Sequence, residues 1–260
     1  MTDTAFETFK SKVYQKTGID LNQYKQKQMK RRLTTLMSKR GYSSYDDYWL
    51  ALQRDEKLYR EFLDRITINV SEFFRNPQRW NVLEETILPK IIKQKGKDEK
   101  LKIWSAACST GEEPYSLAMV LKEFFPPSQF DILATDLDET VLNQARKGVY
   151  SEERIKEVNS DRLFKYFNQE DKLYHVKDEI KKCVNFKKHN LLKDPYDKNF
   201  DLILCRNVMI YFTEEAKSIL YKNFYQALAP GGVLFVGSTE QIFNASKLGF
   251  QSIATFFYQK

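Results

Sequence analysis

The stretch from Leu101 to Phe125, LKIWSAACSTGEEPYSLAMVLKEFF, opens like a buried strand and breaks into small residues and one glycine. It then turns at once into an amphipathic helix that begins with two carboxylates. Small residues let backbone approach a ligand, Gly111 permits a tight turn, and a helix start offers unpaired N–H groups. A turn of this kind holds a ligand in many α/β proteins. The texture downstream agrees, because strand and helix keep alternating. QFDILATDLD reads as a strand ending in acids, and ETVLNQARKG as a helix closed by Gly148. CVNFKKHNLL and FDLILCRNVMIYF each hold a strand, and TEEAKSILYKNFYQAL is a helix with Thr213 as its cap. PGGVLFVGS is a turn and strand, and FQSIATFFYQK ends the chain as one further strand. Such alternation predicts a doubly wound, mostly parallel sheet.

Two regions depart from it. Residues 1 to about 95 read as helix after helix. Phe6, Phe9, Val13 and Tyr14 fall at helical spacing, and a second helix spans about 21–40. A third is capped by Ser43 or Ser44 with Asp46 and Asp47 in its first turn, and a fourth covers about 56–68. Another starts at Pro77 and runs to about Lys95, followed by a charged linker over 93–100. The second departure lies between Tyr150 and Asn185. There KLYHV and CVNF, with turns between, predict a small antiparallel insertion.

Composition narrows the class. With 260 residues, 42% hydrophobic and 14% aromatic, the chain can bury a sizeable core. Nine glycines and seven prolines argue against low complexity, and no internal repeat is visible. The net charge of +7 suggests a polyanionic partner or an acidic protein surface, unless it is simply a lysine-rich solvated face. Three scattered cysteines give neither a disulfide framework nor a zinc pattern, and two histidines make a His-based metal site improbable. The polar, acid-containing start is no signal peptide, and no apolar run reaches the roughly 18 residues of a membrane span. A soluble cytoplasmic protein without a metal, and a monomer, is expected.

Ligands of doubly wound folds sit beyond the carboxyl ends of the strands, near the switch in strand order. AACSTGEEPYS is not the dinucleotide fingerprint, since it has one glycine, and no Gly-Lys-Ser/Thr makes it a P-loop. Glu112 and Glu113 would repel a pyrophosphate and welcome a positive group, which favours S-adenosyl-L-methionine over NAD or ATP. The plainer reading is that both acids only complement the helix dipole. At the end of the next strand, Asp136 is best placed to accept hydrogen bonds from ribose hydroxyls, with Asp138 as competitor or helix cap. Arg206 and Asn207 follow an apolar strand and so point to the site. Asn190 and Leu191 could meet an adenine edge and face.

Taken together, NVSEFFRN (69–76), AACSTGEEPYSLAM (106–119), ATDLD (134–138), HNLL (189–192) and CRNVMIYF (205–212), in that order, resemble the chemotaxis receptor methyltransferases, the CheR family of glutamate O-methyltransferases. The resemblance covers nearly the whole chain. It implies a helical N-terminal domain (1–75) for substrate recognition and a Rossmann-like methyltransferase domain (76–260), with a β-subdomain inserted at about 150–185. It also implies S-adenosyl-L-methionine as donor, S-adenosyl-L-homocysteine as product, and glutamates of chemoreceptor cytoplasmic helices as acceptors, the membrane being reached only through the receptor. By analogy, Asn69, Ser71 and Arg75 reach over the donor, and the family often has Thr where Ser71 stands. A Glu of the GEEP turn meets the donor, Glu113 slightly favoured over Glu112. Asp136 holds the ribose, Asn190 and Leu191 the adenine, and Arg206 and Asn207 complete the donor contacts. Tyr211 lies near the transferred methyl, and with Arg75 makes up the catalytic pair, unless Tyr211 only packs before a helix cap. Relatives that dock a receptor's C-terminal pentapeptide usually carry a glycine-rich hairpin loop. Here that loop reads NQEDKL, which predicts direct recognition of the receptor helices instead.

A glutamate with an ordinary pKa of about 4.3 is already an anion at neutral pH, so methyl transfer to it needs no general base. Substrate recognition falls to YKQKQMKRRLTTLMSKR (24–40), with seven basic residues and no acid. On a helix Met29, Leu33, Leu36 and Met37 share one face and Lys27 and Arg31 the opposite one. With Lys30 they are candidates for binding an acidic receptor helix, against the alternative of an ordinary solvated basic helix. Two rivals are weaker. Nucleic-acid amino-methylases usually carry Asn/Asp-Pro-Pro-aromatic where RNVMIY stands here, and a non-catalytic donor-binding module is at odds with the full set of donor positions. No nucleic-acid partner is expected.

Overall fold

The computed structural model describes residues 3–67, 69, 71–96 and 99–260. Met1 and Thr2 of the polar start, Val70 of the NVSEFFRN run, and Lys97 and Asp98 of the expected linker lie outside the described residues. The chain divides into two compact units, residues 1–69 with 211–218, and residues 70–210 with 219–260.

The first unit is helical, with α-helices Asp3–Thr17, Gln26–Lys39, Tyr45–Arg54 and Glu56–Thr67. Aromatic side chains fill its core. The Phe9 ring lies 5.1 Å from Tyr45, 5.9 Å from Trp49 and 6.0 Å from Phe62, centroid to centroid. Tyr14, expected on the same face as Phe9, is instead 48% exposed. Ser44 is the cap of the third helix, accepting from the Asp47 N–H at 3.1 Å. The helix expected over 21–40 is broken. Leu21–Gln23 form one 3₁₀ turn, and the α-helix starts only at Gln26. The cause is competition for backbone groups. The Lys25 N–H donates to the Tyr211 carbonyl, the Thr213 N–H donates to the Gln23 carbonyl, and Tyr24 bridges Phe212.

Among its described residues the second unit holds ten strands: β1 (Leu101–Ala106), β2 (Phe130–Asp136), β3 (Val149–Ser151), β4 (Phe167–Glu170), β5 (Leu173–Val176), β6 (Val184–Lys188), β7 (Phe200–Cys205), β8 (Leu228–Val236), β9 (Gln251–Ala254) and β10 (Phe257–Gln259). Seven form one sheet in the order β6-β2-β1-β7-β8-β10-β9, with β6, β2, β1, β7 and β8 mutually parallel. Parallel strands are covered on both faces, so they read as continuous apolar runs rather than alternation, and every residue of β7 is buried. The helix Glu112–Phe124 is buried from Pro114 to Leu121, as befits an element with packing on all sides.

Three expectations about elements need correction. Of the two places the sequence offers for CVNF, the alternating sheet is the right one: Val184–Phe186 belong to β6, at the edge of the parallel sheet, with Asp136 opposite Lys188, and not to the insertion. The antiparallel sheet is β3-β5-β4 alone. The chain ends in a hairpin of β9 and β10, not a single strand, because Phe256 takes a φ of +72° and reverses the backbone. Finally, the helix from Pro77 to Lys95 contains a π segment at Leu83–Ile87. Pro89 has no N–H to return to the preceding turn, which displaces the bonding pattern there.

Candidate active site

Strand order places the site. The chain runs from β1 outward to β2 and β6, then returns to β7 on the other side of β1. The reversal between β1 and β7 is the switch point of the sheet, where a crevice opens at the C-terminal rim. Five loops meet that rim, following β1, β2, β6, β7 and β8.

The loop after β1 is wound tightly. Ala107, Ser109 and Gly111 all have positive φ, at 60°, 50° and 94°. Non-glycine residues in this region cost of order 1 kcal/mol each, a strain typical of ligand clamps. Gly111 is required for packing as well as for its φ. A Cβ there would sit 2.8 Å from the Ala145 Cβ and 3.1 Å from the Tyr150 hydroxyl. The Cys108 N–H donates to the Thr135 carbonyl at 2.9 Å, which ties the loop to the end of β2.

Asp136 ends β2 and is 7% exposed. Its carboxylate accepts from the Ser109 N–H at 2.8 Å and the Asp138 N–H at 3.0 Å. Burial nevertheless dominates and pushes its pKa up to about 6. Asp138, the sequence competitor, is occupied as the cap of the helix Glu139–Lys147, accepting from the Thr140 N–H at 2.8 Å.

The two glutamates part company. Glu112 is 1% exposed and accepts from the Thr110 hydroxyl at 2.8 and 2.9 Å, with the Arg154 guanidinium at 3.5 Å. Glu113 accepts from the Ser105 hydroxyl at 2.8 Å, and its other oxygen lies 3.5 Å from Arg206. It therefore spans the switch point from the helix after β1 to the loop after β7. Burial raises both carboxyls, against the pull of Arg154 and Thr110 on one and of Arg206 and Ser105 on the other.

Arg206 has a side chain only 2% exposed. It donates to the Arg75 carbonyl at 2.6 Å and packs over the Phe235 and Trp80 rings at 4.6 and 5.7 Å. Asn207 beside it takes a φ of +61°. Ser71 accepts through its carbonyl from Arg154, and the Arg75 side chain is one-third exposed. Asn190 folds an Asx turn, its Oδ1 accepting from the Leu192 N–H at 3.0 Å, and Leu191 is buried beside it. The His189 N–H donates to the Asp136 carbonyl at 2.9 Å, which brings Asn190 and Leu191 to the same rim.

Ser71, Arg75, Gly111, Glu112, Glu113, Asp136, Asn190, Leu191, Arg206 and Asn207 thus all belong to the second unit. Asn69, Lys27, Lys30, Arg31 and Tyr211 belong to the first. There Asn69 donates to the Thr67 hydroxyl at 2.9 Å, Lys27 and Arg31 are exposed, and the Lys30 ammonium lies 5.6 Å from the Phe6 ring. Arg32, absent from the candidates, stacks its guanidinium 5.1 Å from the Tyr211 ring. Arg154 and Glu240 were also missed. Glu240 follows an apolar strand with small residues and an acid (VGSTE), the same signal that drew attention to ATDLD.

A doubly wound sheet with an acid at the end of its second strand and a strained loop after its first defines a nucleoside-binding site. Two further observations bear on the nucleoside. Among the described residues, the Ser109 Oγ and the Arg206 Nε are buried without a hydrogen-bond partner. Burial raises the carboxyl pKa of Glu112, Glu113 and Asp136 at the same rim. A ligand carrying hydrogen-bonding groups and positive charge satisfies both conditions, and S-adenosylmethionine has a ribose, an amino-acid end and a sulfonium. Comparison with known proteins agrees. Residues 69–257 match the CheR methyltransferase SAM-binding domain, and residues 4–67 match the CheR methyltransferase all-alpha domain. The chemotaxis protein methyltransferase of Listeria innocua is 43% identical over 94% of this chain and 92% of its own length. That of Borreliella burgdorferi is 38% identical over 94% and 90%, and that of Escherichia coli 31% over 92% and 85%. The chain belongs to the CheR family of chemotaxis protein methyltransferases. It is a methyltransferase whose cofactor is S-adenosylmethionine.

Proposed function

We propose that the protein transfers a methyl group to glutamate side chains on the cytoplasmic helices of chemoreceptors, giving methyl esters, and that it does so without docking a receptor pentapeptide. The observation that carries the reading is the buried, backbone-held carboxylate of Asp136 beside the strained Ala107–Gly111 turn. It fits a ribose diol and sets the direction in which the rest of the donor extends.

S-adenosylmethionine supplies a methyl on a positive sulfur, which a carboxylate oxygen displaces in line. The roles of this chain's residues follow. Asp136 accepts from the ribose, Asn190 and Leu191 meet the adenine, and the loop after β1 covers the remainder with Asn207 and Ser71. Glu113, and secondarily Glu112, offers negative charge to the cationic end of the donor. Arg206 is the counter-charge that opposes the effect of burial on Glu113, where the low dielectric strengthens their attraction. Charge is annihilated as methyl transfer proceeds, so excluding water helps, and alignment can supply an effective molarity of about 10⁵ M or more. Arg75 and Asn69 position donor and acceptor. Too strong a grip on the acceptor carboxylate would blunt its attack, so positioning and not neutralisation is the role of Arg75. Tyr211 guides the acceptor carboxylate.

The helix Gln26–Lys39 is the receptor-binding element. Met29, Leu33, Leu36 and Met37 are buried, which leaves Lys27 and Arg31 facing solvent, and Lys30 is half-buried. Such a face complements receptor helices that present several glutamates. Independence from pentapeptide docking is supported by the hairpin of β4 and β5. Glu170 pairs with Leu173, so only Asp171 and Lys172 form the turn, and no glycine loop extends from it.

The test is methylation of a chemoreceptor cytoplasmic fragment with methyl-labelled S-adenosylmethionine, followed by alkali. Esters release labelled methanol, and base-stable label excludes glutamate O-methylation. A peptide matching a receptor C-terminus should show no specific binding to the protein. Tight capture of it overturns the docking-free reading.

A further inference from the structure

We infer that Glu240 is a positioning residue for the donor site. It lies in the loop after β8, is 4% exposed, and acts through the backbone of the neighbouring loops. Its carboxylate is the acceptor for three backbone N–H groups. One oxygen takes those of Asn207 and Gly237, both at 2.7 Å, and the other takes that of Ile210 at 3.2 Å. Two of the three donors belong to the loop after β7, which carries Arg206 and Asn207. Glu240 therefore ties that loop to the adjacent loop after β8.

The arrangement is built for this contact. Asn207 sits in the left-handed region at φ +61°, which Asn adopts more readily than other side-chain-bearing residues, and its N–H is directed at the Glu240 carboxylate. Gly237 leaves room for the carboxylate. A Cβ there would fall 2.5 Å from the Glu240 oxygen and 2.7 Å from the Asn207 nitrogen. A buried acid is retained at some cost, and here three N–H donors offset its desolvation. Glu240 also adds negative charge near the buried Arg206, which already faces Glu113. Removing the acceptor would leave the Asn207 and Gly237 N–H groups unpaired and let the turn relax, carrying the Asn207 side chain out of register with the donor.

This rests on the reading that Arg206 and Asn207 contact the donor. The experiment is the affinity of the full chain for S-adenosylhomocysteine, with donor and receptor KM values, in Glu240→Gln, Glu240→Asp and, as control, Asn207→Ala. Glutamine can keep its carbonyl oxygen on the two short bonds, so E240Q should bind within about threefold of wild type. Aspartate keeps the charge but falls a methylene short, so E240D should lose about tenfold or more, in donor affinity and donor KM, while receptor KM stays put. E240D binding like wild type, or E240Q losing as much as E240D, overturns the inference. N207A with undiminished affinity would instead indict the donor-site reading itself.

Discussion

At the scale of single residues, the C-terminal rim gathers three buried carboxyls, those of Glu112, Glu113 and Asp136. Asp136, with a pKa of about 6 in the fold against an ordinary carboxylate value near 3.8, binds protons more readily folded than unfolded. Its contribution to stability is full below about pH 4 and is lost as pH rises through about 6. Glu112 and Glu113 are shifted in the same direction. The ligand-free protein should therefore lose thermal stability from pH 4 to 7 on this account, and S-adenosylhomocysteine affinity should rise over pH 5 to 7 because binding favours the ionised Asp136. Calorimetric titrations across that range check both signs. D136N should weaken binding by roughly 10- to 100-fold, the worth of hydrogen bonds to a charged group, and flatten the pH dependence. Gly111→Ala should cost about 1–3 kcal/mol through its positive φ and the Ala145 contact, read as a fall in Tm. Tyr211→Phe should slow turnover roughly twofold to tenfold with donor affinity unchanged, the cost of one hydrogen bond. Asp136 was legible in the sequence because an acid at the end of an apolar strand has no reason to be in the core. Its distinction from Asp138 was not, since both follow the same strand and only the structure shows that Asp138 is spent on the Thr140 N–H. Glu240 follows an apolar strand as Asp136 does, but its link to the loop after β7 runs to backbone N–H groups 30 and 33 residues away, which leave no mark on side-chain pattern.

At the scale of elements, hydrophobic period carried most of the reading. The strands β1, β2 and β7 and the helix Glu112–Phe124 stand where apolar runs and turn residues put them. The misreadings share one cause, namely competition from groups far away or from a neighbour's chemistry. The 21–40 helix breaks at Tyr24 because residues 211–213 claim its backbone, and the π segment at Leu83–Ile87 follows from Pro89. CVNF fits both the alternating sheet and the insertion by sequence, because a short apolar run does not announce whether its partner is parallel or antiparallel. The basic helix Gln26–Lys39 makes its own prediction. Charges at a rim act on encounter more than on hold. Added salt should depress receptor methylation sharply and leave donor affinity nearly unchanged. Reversing Lys27 and Arg31 to Glu should lower kcat/KM for the receptor by about tenfold at low salt. Equal salt sensitivity of both quantities would count against that helix as the receptor face.

At the scale of the whole molecule, the chain pairs a helical unit of basic character with a doubly wound methyltransferase unit, and both match their family counterparts. The alternation of strand and helix foretold the class of sheet but not its order, and strand order creates the crevice between β1 and β7. Nor could it foretell that the short stretch Tyr211–Ser218 groups with the helical unit, since the sequence reads continuously from β7 into the following helix. Candidate residues are accordingly shared by both units. The central claim is that these residues serve methyl-ester formation on a receptor. It is tested most directly by incubating the full chain with labelled S-adenosylmethionine and a chemoreceptor cytoplasmic fragment, then measuring volatile methanol after alkali. Labelled methanol in proportion to the label incorporated is the predicted result. Incorporated label that survives alkali, or a receptor fragment left unlabelled by an enzyme that binds its donor, would contradict it.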